Sequence, residues 1–173
     1  RLAAAEWYPD GQHGGVVSAL LSHAVETSPS LTPMEVARVT CELFRIVPVA
    51  TLELVTELVR EGKKIQTTEA RLYDGDVEVA RALVQRLRTT ELELPAETSQ
   101  QINTPPHPDS LPQVDFKALM PFGADGPVSF GRRAVEIRQA KGTFAEPGPA
   151  TVWLRFPIQL VEGTDLTPTE RAI

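Results

Sequence analysis

The densest group of residues able to do chemistry is Gln12-His13-Gly14-Gly15. It follows a Pro9-Asp10-Gly11 breaker cluster and opens an apolar segment. From Gly14 to Thr27 that segment places Val17, Leu20, Leu21 and Ala24 at helical spacing, with Val16 and Val25 widening the stripe. A helix apolar almost all round is buried. Its first amides have no intrahelical acceptor, and the helix dipole makes that end positive. Such donors suit a carbonyl oxygen that gains negative charge during acyl transfer, and glycine lets a substrate approach the backbone closely. Gln12, Gly14 and Gly15 are therefore the candidate substrate-binding residues and His13 the candidate catalytic residue. A neutral imidazole at a helix start can accept a proton or donate a hydrogen bond. The competing use is structural: the glycines permit close helix–sheet contact, and His13 caps the helix or faces solvent.

Other reactive residues read as structural. His23 lies inside the apolar helix and is expected to be packed with one hydrogen-bond partner. His107, in Pro106-His107-Pro108, belongs to a proline-rich connector. Cys41 sits on the apolar face of a strand, with no partner pattern for a thiol nucleophile. Three histidines and one cysteine form no ligand set, so neither a metal nor another cofactor is expected. Ser129 lies between Gly126 and Gly131, one residue too long for a nucleophile elbow. Glu61-Gly62-Lys63 lacks the upstream glycine of a phosphate loop, and no Gly-x-Gly-x-x-Gly follows a strand. Arg132, Arg133 and Arg138 could meet phosphate groups but read as a solvated strand face.

Length and composition narrow the classes further. The chain has 173 residues, 42% of them hydrophobic and 23% charged, which suits one globular domain or slightly more. Seventeen basic against 23 acidic residues give a net charge of −6, so nucleic acid is not an expected partner. No apolar run reaches membrane-spanning length, and a cytoplasmic location is expected. The first residue is Arg1, and Thr167-Pro168-Thr169-Glu170 reads as a capped helix opening near the other end. The sequence accordingly reads as part of a longer chain.

Four alternating runs are expected to be strands: Arg38–Ile46, Thr51–Arg60, Ile65–Tyr73 and Val77–Thr89. The last also fits helical spacing, but the hairpin signals at Glu61-Gly62-Lys63 and Asp74-Gly75-Asp76 favour a strand. A single sheet with one apolar face needs a cover, which the helix supplies. Residues 1–94 then form a first domain. Seven of the 15 prolines fall within 95–127, marking that stretch as a linker. Residues 128–173 open a second unit, with strands expected at Phe130–Arg138 and Thr151–Gln159.

In this order, Pro9-Asp10-Gly11-Gln12-His13-Gly14-Gly15, Phe44-Arg45-Ile46-Val47-Pro48 and Val59-Arg60-Glu61-Gly62-Lys63 resemble the N-terminal half of acyl-CoA thioesterases of the double-hotdog type. Val135-Glu136-Ile137-Arg138, Val152-Trp153-Leu154-Arg155 and Leu166-Thr167-Pro168 are similar to the opening of that family's second unit. The resemblance implies an α+β hotdog fold, a long helix wrapped by an antiparallel sheet, followed by the first strands of a second hotdog. It implies hydrolysis of acyl-CoA to free acid and CoA by activated water in a groove between the units, as part of lipid and fatty-acid metabolism. It also implies an acyl-CoA partner, no cofactor, and a homo-oligomer formed through the sheets. The family's Asp, Thr or Ser, and Gln map onto no residue here and are expected beyond Ile173. The alternative is a non-catalytic acyl- or acyl-CoA-binding or assembly module. A hotdog enoyl-CoA hydratase is a further alternative, but it needs an Asp and a His about five residues apart, whereas Asp10 and His13 are separated by three.

Overall fold

The computed structural model describes residues 3–6, 8, 10–98, 104–115, 129–143 and 146–173. The apolar segment forms helix α1, Gly14–Glu26. Four strands follow: β1 Met34–Leu43, β2 Glu53–Arg60, β3 Ile65–Asp74 and β4 Val77–Arg88. They pair antiparallel throughout in the order β1-β4-β3-β2. Alternation decides which face meets the helix. On β3, Gln66, Thr68, Ala70 and Leu72 are buried, and on β4 Ala80, Ala82, Val84 and Arg86 are buried. Val17, Leu21 and Val25 of α1 lie in the same core, fully buried, while Leu20 is half-buried. Ala70 is opposite Ala82 in the ladder, and Leu72 is opposite Ala80. Small side chains at the centre of the sheet let the helix lie close to it. Each buried Val or Leu contributes about 2 kcal/mol of burial free energy.

The β3–β4 loop shows how the register is fixed. Asp74 pairs with Val77, leaving Gly75 and Asp76 as the loop. Gly75 has φ 57°, and no non-glycine residue among those described has positive φ. Positive φ at the first loop position alone is the pattern of a type II′ hairpin, where glycine fits without strain.

Both ends of α1 are tied down. At its C-terminus the guanidinium of Arg86, 3% exposed, donates to the carbonyls of Ser28 at 3.1 Å and Pro29 at 3.0 Å. It also donates to Gln66 Oε1 at 2.8 Å, and Gln66 Nε2 donates back to the Pro29 carbonyl at 3.1 Å. Burial lowers the pKa of Arg86, and the Glu26 charge opposes that shift. On the opposite face of the sheet, Arg71 pairs with Glu57 and Glu69, and Arg81 pairs with Glu69 and Glu78. The Arg81 hydrogen bond holds the Glu78 carboxyl below its usual range.

A second sheet contains β5 Gln113–Val114, β6 Glu136–Lys141 and β7 Thr151–Arg155, ordered β5-β6-β7 and antiparallel. Three expectations need correction. Phe130–Arg138 is not one strand: Phe130–Arg133 is a helical turn, α2, and pairing starts at Glu136. The turn forms because Glu6, remote in sequence, accepts from the Gly131 N–H at 3.0 Å and the Ser129 hydroxyl at 2.7 Å. The last strand stops at Arg155, just before Phe156-Pro157, since proline donates nothing to a ladder. β1 begins at Met34 and ends at Leu43, a frame shifted toward the helix, with an irregularity between Val36 and Arg38. The structure also places β5 inside the stretch read as a connector. The chain closes with α3, Pro168–Ala172, capped by Thr167 as its sequence predicts.

Replacing Arg86 with Met should strand the Ser28 carbonyl and the Gln66 amide oxygen. Urea unfolding should show a loss of about 3 kcal/mol, the scale of leaving buried acceptors unpaired.

Candidate active site

The turn before α1 is strapped on both sides. The Gln12 N–H donates to the Val47 carbonyl at 2.7 Å, and the His13 N–H to the Ala3 carbonyl at 2.7 Å. The Gln12 side-chain amide donates to the Pro48 carbonyl at 2.9 Å. Gly11 packs closely: a Cβ there would lie 2.6 Å from Ile46 Cγ2, so Ile46 would have to shift. This strap fixes His13 as the N-cap, with φ −64° and ψ 134°. Its Nδ1 accepts the Gly15 N–H at 3.1 Å. Neutral His13 therefore carries its proton on Nε2. The ring stacks on Phe130 with centroids 5.0 Å apart, and Phe130 stacks on Phe156 at 5.9 Å.

Val16 and Val17 N–H donate to the His13 carbonyl at 3.0 and 3.3 Å. With Gln12, His13 and Gly15 also engaged, the expected set of open donors narrows to one backbone amide. Among the described residues nothing accepts from the Gly14 N–H. Gly14 is the first residue of the helix, so this amide lies at the positive end of the dipole. A Cβ on Gly14 would meet only Leu43 Cδ1, at 3.0 Å, and Leu43 is half exposed. The chemistry at hand is one backbone donor beside an oriented imidazole N–H. No group of His, Cys, Asp and Glu among the described residues is suited to a metal ion.

Residues 3–87 match the family model for the acyl-CoA thioesterase N-terminal domain. That segment, just under half of the chain, is similar to the acyl-CoA thioesterase domain family. The thioesterase domain thus contains α1, all four strands of the first sheet and the whole strap. Two solved structures show the same fold over most of the chain. One is a conserved hot-dog-fold protein of unknown function from Alicyclobacillus acidocaldarius, with 18% identity and TM-score 0.68, covering 88% of this chain and 55% of that one. Another is the TesB protein of Mycobacterium avium subsp. paratuberculosis, with 15% identity and TM-score 0.60, covering 93% of this chain and 55% of that one. The chain spans about half the length of these structures. No curated protein matches it. The fold of the thioesterase domain is the hotdog fold, a helix laid on an antiparallel sheet. No helix among the described residues is long and apolar enough to cross a membrane.

The remaining sequence candidates are dispersed. The half-buried thiol of Cys41 accepts from the Ser18 hydroxyl at 3.2 Å. His107 is exposed, and its Nδ1 accepts from the Asp109 N–H at 3.3 Å. Ser129 is buried under Glu6, and Arg138 donates to the Leu111 carbonyl at 2.7 Å. Sequence reasoning overlooked two features at the thioesterase domain's helix: the Phe130 stack on His13 and the contact of His23 with Glu170. The only local signal for the second is a pair of three-residue spacings, His23 to Glu26 and Thr167 to Glu170.

The capping role of His13 can be separated from its imidazole chemistry. His13→Ala should cost about 1 kcal/mol in urea unfolding, the usual scale of a lost N-cap. His13→Asn should recover most of that loss, because asparagine also caps.

Proposed function

We propose that the protein hydrolyses acyl-CoA thioesters to free acid and CoA, with the substrate carbonyl seated at the start of α1. The observation that carries this reading is the open Gly14 N–H at the positive end of the buried helix in a thioesterase domain. Attack of water on a thioester moves charge onto the carbonyl oxygen, and a fixed donor stabilises that charge more than it stabilises the ground state. The His13 Nε2–H is a second donor available at the same end, its ring held by Phe130. Gln12 and Gly15 act by building the strap and the cap rather than by offering free groups. In this reading residues 1–94 are one hotdog unit, 95–127 connect, and 128–173 begin a second unit that completes the groove. The exposed apolar residues Val55, Leu58 and Val59 of β2 support association of copies through the sheets.

One observation favours the acyl-CoA-binding alternative: most amides at the helix start are already engaged within the protein. A paired substitution separates the two. Proline is accepted at the first position of a helix, and the extended His13 backbone suits a following proline. Gly14→Pro therefore deletes the N–H without breaking α1, while Gly14→Ala keeps it and adds the same Cβ. In a thiol-release assay across acyl-CoAs of increasing length, Gly14→Pro should lose about 10²-fold in kcat/KM, the scale of one lost oxyanion donor. Gly14→Ala should retain most activity. Equal activity in both variants would refute the role of this amide. Binding of acyl-CoA without thiol release would favour the non-hydrolytic module.

A further inference from the structure

His23 and Glu26 lie three apart on α1, one above the other on the same face. Opposite them are Thr167, the N-cap of α3, and Glu170 within it, also three apart. His23 Nδ1 is 2.5 Å from Glu170 Oε1. The Thr167 hydroxyl donates to Glu26 Oε2 at 2.8 Å. Within the α3 cap, the Thr167 N–H donates to Glu170 Oε2 at 2.9 Å, and the Glu170 N–H donates to Thr167 Oγ1 at 3.2 Å. Two side-chain contacts therefore join the helices, with the α3 capping box between them. Residue 23 faces 170 and residue 26 faces 167, so the two helices run in opposite directions at this contact.

These contacts explain an otherwise costly burial. The Glu170 side chain is 1% exposed and that of His23 18% exposed. A carboxylate at that depth is tolerated only when its oxygens are paired, and here each oxygen has a donor. The register has a consequence at the other end of α3. The Ile173 carbonyl oxygen lies 3.5 Å from where a Cβ on Gly15 would be. A contact set at His23 and Glu26 therefore seats residue 173 beside the start of α1.

We propose that His23, Glu26, Thr167 and Glu170 form a polar joint that positions α3 on α1 and holds residue 173 against the candidate active site. All four are positioning residues. The docking role stands on geometry alone; its effect on turnover rests on the hydrolase reading above.

Glu170→Gln is the informative variant, because glutamine still completes the capping box and α3 keeps its start. Amide hydrogen exchange on the full chain should then rise on the order of tenfold over residues 167–173, the scale of a lost hydrogen bond to a charged group. Strands β3 and β4 should exchange as before. His23→Gln should act similarly, and the double variant should exceed neither single by much, since the residues act as one unit. Additive single effects or unchanged exchange in either single variant would overturn the joint. Thiol release by the same variants should fall as docking is lost, and full turnover in an undocked Glu170→Gln chain would overturn its positioning role. If the wild-type chain released no thiol, the hydrolase reading would fail, and exchange alone would decide the joint.

Discussion

A helix laid across a sheet buries its polar ends along with its apolar face. Its first amides and last carbonyls lack intrahelical partners, and leaving them dry and unpaired is costly. Most of what surrounds α1 answers this constraint. At the C-terminal end Thr27 and Ser28 serve the carbonyls of His23, Ala24 and Val25, and the sheet serves the Glu26 carbonyl and those just after it. Gln66 and Arg86 are direct partners in the β3–β4 ladder, both on the face that carries Ala70, Leu72, Ala82 and Val84. Their side chains reach past the apolar patch to the carbonyls that follow the helix. A delocalised guanidinium is suited to serving several acceptors at once. The favourable dipole interaction of a cation at that end adds to this.

At the N-terminal end the solution is incomplete, and the proposed chemistry uses that incompleteness. His13 satisfies Gly15, and its carbonyl accepts from Val16 and Val17. Residues 3 and 47 take the amides before the helix. Gly14 is left over. Glycine at this position keeps the amide uncovered, and the strap on either side keeps it fixed. A donor whose orientation is already set needs no reorganisation when charge develops on a bound carbonyl. The same anchoring that stabilises the fold therefore prepares the donor.

The sequence disclosed the local parts of this arrangement and concealed the remote ones. Alternation in Ile65–Tyr73 and Val77–Thr89 was enough to indicate strands, because each buries one face only. The spacing of Val17, Leu20, Leu21 and Ala24 was enough for α1, and Thr167 with Glu170 was enough for the start of α3. Phe130–Arg138 misled because its helical turn depends on the carboxylate of Glu6, |i−j| 125 from Gly131. The helix start was legible as a place with spare amides. Its accounting was not, since the acceptors are backbone carbonyls of Ala3 and Val47, which no side-chain pattern announces. The apolar surroundings of His23 predict a packed residue with one partner. That partner, Glu170, lies 147 residues away, a distance across which spacing carries no information.

The central claim is that the Gly14 amide meets the substrate carbonyl, and it can be tested without turnover. Titrating the 15N-labelled chain with a non-hydrolysable acyl-CoA analogue that retains a carbonyl oxygen should shift the Gly14 amide resonance more than any other backbone amide of α1. The His13 ring should respond with it. Saturable binding that leaves Gly14 and His13 unmoved while shifting residues elsewhere would contradict the account.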